Sequence, residues 1–217
     1  MSTTEIRRAI ALIRHGESIK NIEDRHGGIG ASLTAKGREE IAFCINYINQ
    51  INSKSKCVVY YSNKPQLRES AEIIANSLSA DLIVDSRIRP LYLGVLDGLS
   101  REEALNLHPE TAILMERWRK GEIEISGLKI PNAENLQQFW NRGMEFIMDI
   151  TQKDFIHIIV GTRSILTLLI SILLERTIQV GGGYKYIEIP TGGILTFVYK
   201  TERRHYELET NFSNFKI

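Results

Sequence analysis

The chain has 217 residues, 43% of them hydrophobic, and 27 Lys and Arg stand against 26 Asp and Glu. That length supports one sizeable core, read as a single domain over residues 1–217, and a net charge of +1 without a basic block argues against nucleic acid or an anionic membrane as partner. Cys44 and Cys57 lack metal or redox spacing and the N-terminus has no long apolar stretch, so free thiols and a cytoplasmic setting are expected.

In chain order, residues 8–14 read as a buried strand through the run Ala9-Ile10-Ala11-Leu12-Ile13. Asn21 to Gly30 carries turn residues and charge. Thr34 to about Asn52 is predicted helical, because Ile41, Cys44, Ile45, Ile48 and Ile51 recur at helical spacing and Thr34 suits the cap. Val58 to Ser62 is a second buried strand. Pro65 then opens a helix whose inner face is Leu67, Ala71, Ile74 and Leu78. Leu82 to Val84 is a third strand. Gly94 and Gly98 punctuate a loop before a short helix with a capping box at Ser100 and Glu103. Pro109 begins the next helix, to about Lys120, and 121–133 reads as loop. Leu136, Phe139, Trp140, Met144 and Ile147 mark a long helix. Phe155 to Val160 is a fourth buried strand, and Ser164 to Glu175 its following helix. Gly161 to Ser164 interrupts this apolar region, so it is no membrane span. Gly181-Gly182-Gly183 is a turn, and Gly193 to Lys200 with Arg204 to Leu208 reads as a closing hairpin. Alternating strands and helices predict a three-layer αβα sandwich, a mostly parallel sheet with helices on both faces. In such sheets ligands sit at strand C-terminal ends, here Arg14-His15-Gly16, Ser62-Asn63 and Gly161-Thr162.

The run Leu12-Ile13-Arg14-His15-Gly16-Glu17-Ser18 carries the chemistry. A guanidinium and an imidazole at a strand end suit anion binding and attack by a ring nitrogen. With Asn21, Arg25, Gly28, the run Leu33 to Gly37, Ser62, Ser70 to Ile74, Gly94, Gly98 and Glu102, the chain resembles the histidine phosphatase, or phosphoglycerate mutase-like, superfamily over nearly its whole length. The resemblance implies a phosphohistidine at His15, a phosphate clamp of Arg14 and Asn21, and substrate contacts from Arg25 and Gly28. It implies neither cofactor nor metal. The partner expected is a small-molecule phosphate or other anionic ligand, and a homodimer stays open.

Three positions depart from the family pattern. Gln66 stands where the second arginine falls, Pro90 where the acid falls and Thr162 where the second histidine falls. Arg68 is two positions on, toward another side of its helix. Losing one preorganised donor costs roughly two to three decades in rate, and losing an acid roughly two to four. Thr162 is then a weak replacement donor, and the pocket is expected to be less cationic than the family's, favouring a less charged ligand. Glu17 is expected to orient His15 at the site, and Glu134 to be a helix-terminal charge or a family carboxylate. Asp97 reads as a turn residue that could replace the acid. His26 reads as a loop coincidence at the pocket mouth, Arg117-Arg119-Lys120 as a solvated helix face, and Trp118 and Trp140 as core or lid. Two functions remain: a divergent phosphatase that acts slowly or on esters with undemanding leaving groups, such as acyl or aryl phosphates, or a degenerate module or repurposed fold that binds an anionic or less charged ligand without phosphoryl transfer.

Overall fold

The computed structural model describes residues 8–51, 56–174, 185–202 and 205–211. Six strands form one sheet in the order β3-β2-β4-β1-β5-β6. They are β1 (Ala9–Arg14), β2 (Cys57–Tyr61), β3 (Asp81–Val84), β4 (Ile156–Gly161), β5 (Ile194–Lys200) and β6 (His205–Asn211). β3, β2, β4 and β1 run parallel, whereas β5 is antiparallel to both β1 and β6. The predicted closing hairpin is therefore present, and the glycine turn at 181–183 lies outside the described residues.

Alternation along the strands builds two cores. Ile10 and Leu12 of β1 join Tyr60, Ile159 and Phe197 on one face. Ala9, Ala11 and Ile13 join Val59, Ile158 and Val160 on the other. Helices α2 (Ala35–Ile51) and α3 (Pro65–Leu78) cover the second face through Ile41, Ile48, Leu67 and Ile74. Helices α5 (Pro109–Arg119), α6 (Leu136–Ile150) and α7 (Arg163–Leu173) cover the first through Met115, Phe146 and Leu169. The short α4 (Arg101–Leu107) starts at the predicted capping box, with Ser100 Oγ accepting from Glu103 N at 3.1 Å. One four-residue helix, α1 (Ile19–Ile22), was not anticipated: a capping box between Ser18 and Asn21 closes it inside a stretch that reads as turn. Among the described residues no helix is long and apolar enough to cross a membrane.

The loop after β1 is set by backbone close approach. A Cβ on Gly16 would lie 2.1 Å from Gly37 O, and a Cβ on Gly37 would lie 2.1 Å from Glu17 O. The first turn of α2 thus packs backbone to backbone against the segment that carries His15. Thr34 seals the junction, accepting from Gly37 N at 3.0 Å. Neither glycine can gain a methyl without moving main chain in a close-packed region. We predict that Gly37→Ala destabilises the protein by about 2 kcal/mol or more, read as a lower urea midpoint with unchanged slope. An unshifted midpoint would contradict this packing.

Candidate active site

The C-terminal ends of β1, β2 and β4 open onto one cavity of about 500 Å³. Its floor is Arg14 and His15, both buried. Their backbone is held on both sides. Arg14 N donates to Gly193 O at 2.9 Å, His15 N to Gly161 O at 3.2 Å, and Gly192 N to the carbonyls of both residues. His15 Nδ1 lies 2.7 Å from Gly16 O. A carbonyl only accepts, so Nδ1 carries the proton and Nε2 keeps its lone pair. Burial, then the Arg14 charge, holds the His15 imidazole down at about 3, so it is neutral at ordinary pH.

Arg14 Nη1 donates to Ile189 O at 2.5 Å, while its Nε has no hydrogen-bond partner among the described residues. No ion pair to Arg14 exists among them. Burial, then Arg163, lowers this guanidinium, and a guanidinium still keeps its charge at neutral pH. The site is thus a buried cation beside a neutral imidazole with a free nitrogen lone pair.

The other residues expected at the site are placed as follows. Gln66 is buried and lines the cavity; its Oε1 accepts from Ala31 N at 3.3 Å. Asn21 lines it too, with Oδ1 accepting from Ser18 N and Oγ at 3.0 and 2.7 Å. Gly28 lines it at φ +78°, a conformation that suits glycine. Thr162 lines it as the residue capping α7, its Oγ1 3.3 Å from Ser164 Oγ. Pro90 also lines it. Arg25 reaches the cavity, but its guanidinium is engaged by Glu23, by Glu103 and by Gly98 O, each at 3.1 Å. Arg68 lies outside it, donating to Asn63 Oδ1 at 2.6 Å.

Three expectations are corrected. Glu17 does not orient His15 or face the cavity; it accepts from Thr34 Oγ1 at 3.0 Å and Lys36 Nζ at 2.8 Å, because the chain turns it toward α2. Lys20, Lys64, Arg119 and Arg163 join Arg14 in the pocket walls. Arg119 is no solvated side chain; it is 17% exposed and donates to His26 Nδ1 at 3.1 Å. His26 is therefore a buried wall residue. Burial, then Arg119, lowers it to about 4, and the donated bond places the neutral ring's proton on Nε2.

The carboxylates nearby are mostly committed. Glu134, 6% exposed, accepts from Arg142 Nε and Nη2 and from Arg89 Nη2, all at 2.8 Å. It is a structural ion-pair centre as much as a wall residue. Asp97 lines the rim, its carboxylate over Gly27, where a Cβ would lie 1.8 Å from Oδ1. Lys20, Lys64 and Arg163 each follow the end of a strand, so the strand-end rule could have pointed to them. Arg119 and Tyr186 come from distant segments, and no local pattern marks them.

This fold, with Arg14 and His15 at the end of its first strand, is that of a known superfamily. The model of the histidine phosphatase superfamily (branch 1) matches residues 10–211, and the chain belongs to that superfamily. Among relatives, the "Probable phosphoglycerate mutase GpmB" of Escherichia coli strain K12 / DH10B is 31% identical over 158 residues, 66% of this chain. The match spans 64% of that relative's length. Among solved structures, Bacillus stearothermophilus YhfR superposes with a TM-score of 0.74 at 18% identity, covering 94% of this chain and 96% of that one. The α-ribazole phosphatase of Shigella flexneri gives 0.70 at 19%, covering 94% and 96%. A mycobacterial glucosyl-3-phosphoglycerate phosphatase with VO3 gives 0.73 at 16%, covering 95% and 100%.

Two predictions follow from these partners. Glu134→Ala leaves Arg142 buried without its carboxylate and should cost about 3–5 kcal/mol of stability, measured by urea unfolding; a loss below about 1 kcal/mol would contradict the pairing. Between about pH 6.5 and pH 4 the unfolded chain binds protons at His15 and His26 that the native protein excludes. Unfolding free energy should therefore fall as pH falls through this window, by about 1.4 kcal/mol per pH unit for each group. Removing either imidazole, as in His26→Gln, should flatten that slope; an unchanged slope would contradict a neutral buried ring.

Proposed function

We propose that the protein is a phosphomonoester hydrolase of small molecules, acting through a phosphohistidine on His15. The observation that carries this is the pairing on the cavity floor: an imidazole with Nδ1–H fixed on Gly16 O, beside a buried guanidinium that forms no ion pair among the described residues. Burying a charge is costly unless it is paired, so Arg14 calls for an anionic ligand. His15 Nε2 attacks phosphorus with its lone pair, and the bond to the ester oxygen breaks, its electron pair leaving on that oxygen. Water then attacks phosphorus, the P–N bond breaks, and the pair returns to Nε2. The water's proton balances the charge on the departed oxygen through solvent. Arg14 neutralises the phosphoryl oxygens, Asn21 and Gln66 offer amide donors, and Thr162 offers a hydroxyl at the α7 terminus.

Protonation of the leaving oxygen is the weak step. Pro90 has no proton to give, and both Glu134 oxygens are engaged by Arg89 and Arg142. That favours aryl and acyl phosphates, whose leaving groups need little help. The same observation supports a second reading, a module that binds a phosphorylated ligand without cleaving it.

Phosphate release from a panel of aryl, acyl and alkyl phosphates should appear with the wild type, fall by roughly three decades or more in His15→Ala, and be fastest on aryl or acyl esters. Release that persists in His15→Ala would end the nucleophile assignment. Tight ligand binding with no release on any compound would establish the second reading.

A further inference from the structure

We propose that Lys20 is the second cation of the phosphoryl site, facing the same bound dianion as Arg14 and supplying the charge that Gln66 does not. The proposal rests on the phosphoryl-site reading above and assigns it a residue that the sequence reading passed over. Lys20 lies in α1, directly after the His15-to-Ser18 segment, and the Ser18–Asn21 capping box fixes that helix to the site loop. Its side chain is half-buried and lines the same cavity as Arg14, His15 and Gln66.

The ammonium makes no hydrogen bond and no ion pair among the described residues. Three cations face it from three other elements: Arg14 at the end of β1, Lys64 before α3 and Arg163 at the start of α7. Asp97, from the loop before α4, is the opposing charge. Lys64 differs, because its Nζ is committed to Gly28 O at 2.6 Å, where it holds the glycine loop. Desolvation opposes this half-buried ammonium first; Asp97 is the strongest single charge on it and attracts it, but Lys64, Arg163 and Arg14 repel it, and the balance disfavours its charge in the empty protein. A tetrahedral dianion between Arg14 and Lys20 removes that penalty, since each repulsion is then screened by a shared counter-charge.

The electrostatics give this arrangement a signature. Burial, with Lys64, Arg163 and Arg14, brings Lys20 down to about 8, against the pull of Asp97. The free protein therefore loses this charge as pH rises past about 8, and a dianion must then bring a proton in with it. Affinity should fall there, whereas a site built on guanidinium alone would hold its affinity to higher pH.

Tungstate, a tetrahedral dianion throughout the range, tests this by calorimetric titration of the full chain from about pH 6.5 to about pH 10. For the wild type the Kd should be flat to about pH 8 and then weaken about tenfold per pH unit. Lys20→Met should weaken binding by roughly 10- to 100-fold at neutral pH, with no break near pH 8. Lys20→Arg should keep the neutral-pH affinity within severalfold and move the break to higher pH. Melting temperature separates a binding role from a structural one: Lys20→Met should melt at or above the wild type, because it relieves repulsion. If Lys20→Met binds tungstate like the wild type with the same break, the Lys20 assignment is overturned and the anion site stands. A weaker Kd accompanied by a lower melting temperature would also overturn it, as a packing effect. If the wild type itself binds no tungstate at millimolar concentration, the phosphoryl site falls and Lys20 with it.

Discussion

Arg14 is a cation buried beneath a cavity with no carboxylate in ion-pair contact among the described residues, Glu188 and Glu40 acting on it only from a distance. The Ile189 carbonyl takes one of its donors, and the β4 and β5 ends hold its backbone. Burial, and then the Arg14 charge, keeps His15 neutral. In most proteins a buried guanidinium finds an acidic partner, as Arg142 does with Glu134. The two arginines differ in this: Arg142 is ion-paired within the fold, whereas Arg14 has no ion pair among the described residues, and the proposed function assigns its charge to a ligand.

Position comes from main chain more than from side chains. The Gly16–Gly37 approach locks the loop to α2, and Gly192 hydrogen-bonds the carbonyls of Arg14 and His15. Ser70 links the loop to α3, accepting from Gly16 N at 3.3 Å while donating to Gln66 O at 2.8 Å. In the proposed reaction, an imidazole held in this way would lose little entropy when a phosphoryl group arrives, because the Nδ1 bond already orients its Nε2 lone pair. Lys20 and Lys64 add charge from segments that follow strand ends, so the cavity regains cationic character despite the neutral residues at 66 and 162.

The sheet and its helices were legible because each strand is a short apolar run and each long helix has a clean inner face. The Arg14-His15 floor was legible for a related reason: polar residues that interrupt an apolar strand at its C-terminal end have few uses besides a site. What escaped was the balance of charge. Arg119 sits among charged neighbours at the end of α5, which reads as a solvated face, yet the chain folds it against His26. Glu17 looked like a partner for its neighbour His15, but α2 supplies Thr34 and Lys36 first. The short α1 escaped because its cap lies in a stretch rich in turn residues. The Arg119 and Glu17 misses concern contacts between segments apart in sequence, where local pattern carries no information, whereas the α1 cap is local and was masked by its polar surroundings.

The central claim is that His15 Nε2 becomes covalently phosphorylated. Mixing the protein with an aryl phosphate, quenching at alkaline pH within milliseconds and mapping the digest by mass spectrometry tests it directly. The account predicts one added phosphoryl group on the peptide bearing His15, labile to acid and absent after turnover is complete. Product release with no phosphorylated His15 peptide at any quench time would contradict it and point to direct attack by water.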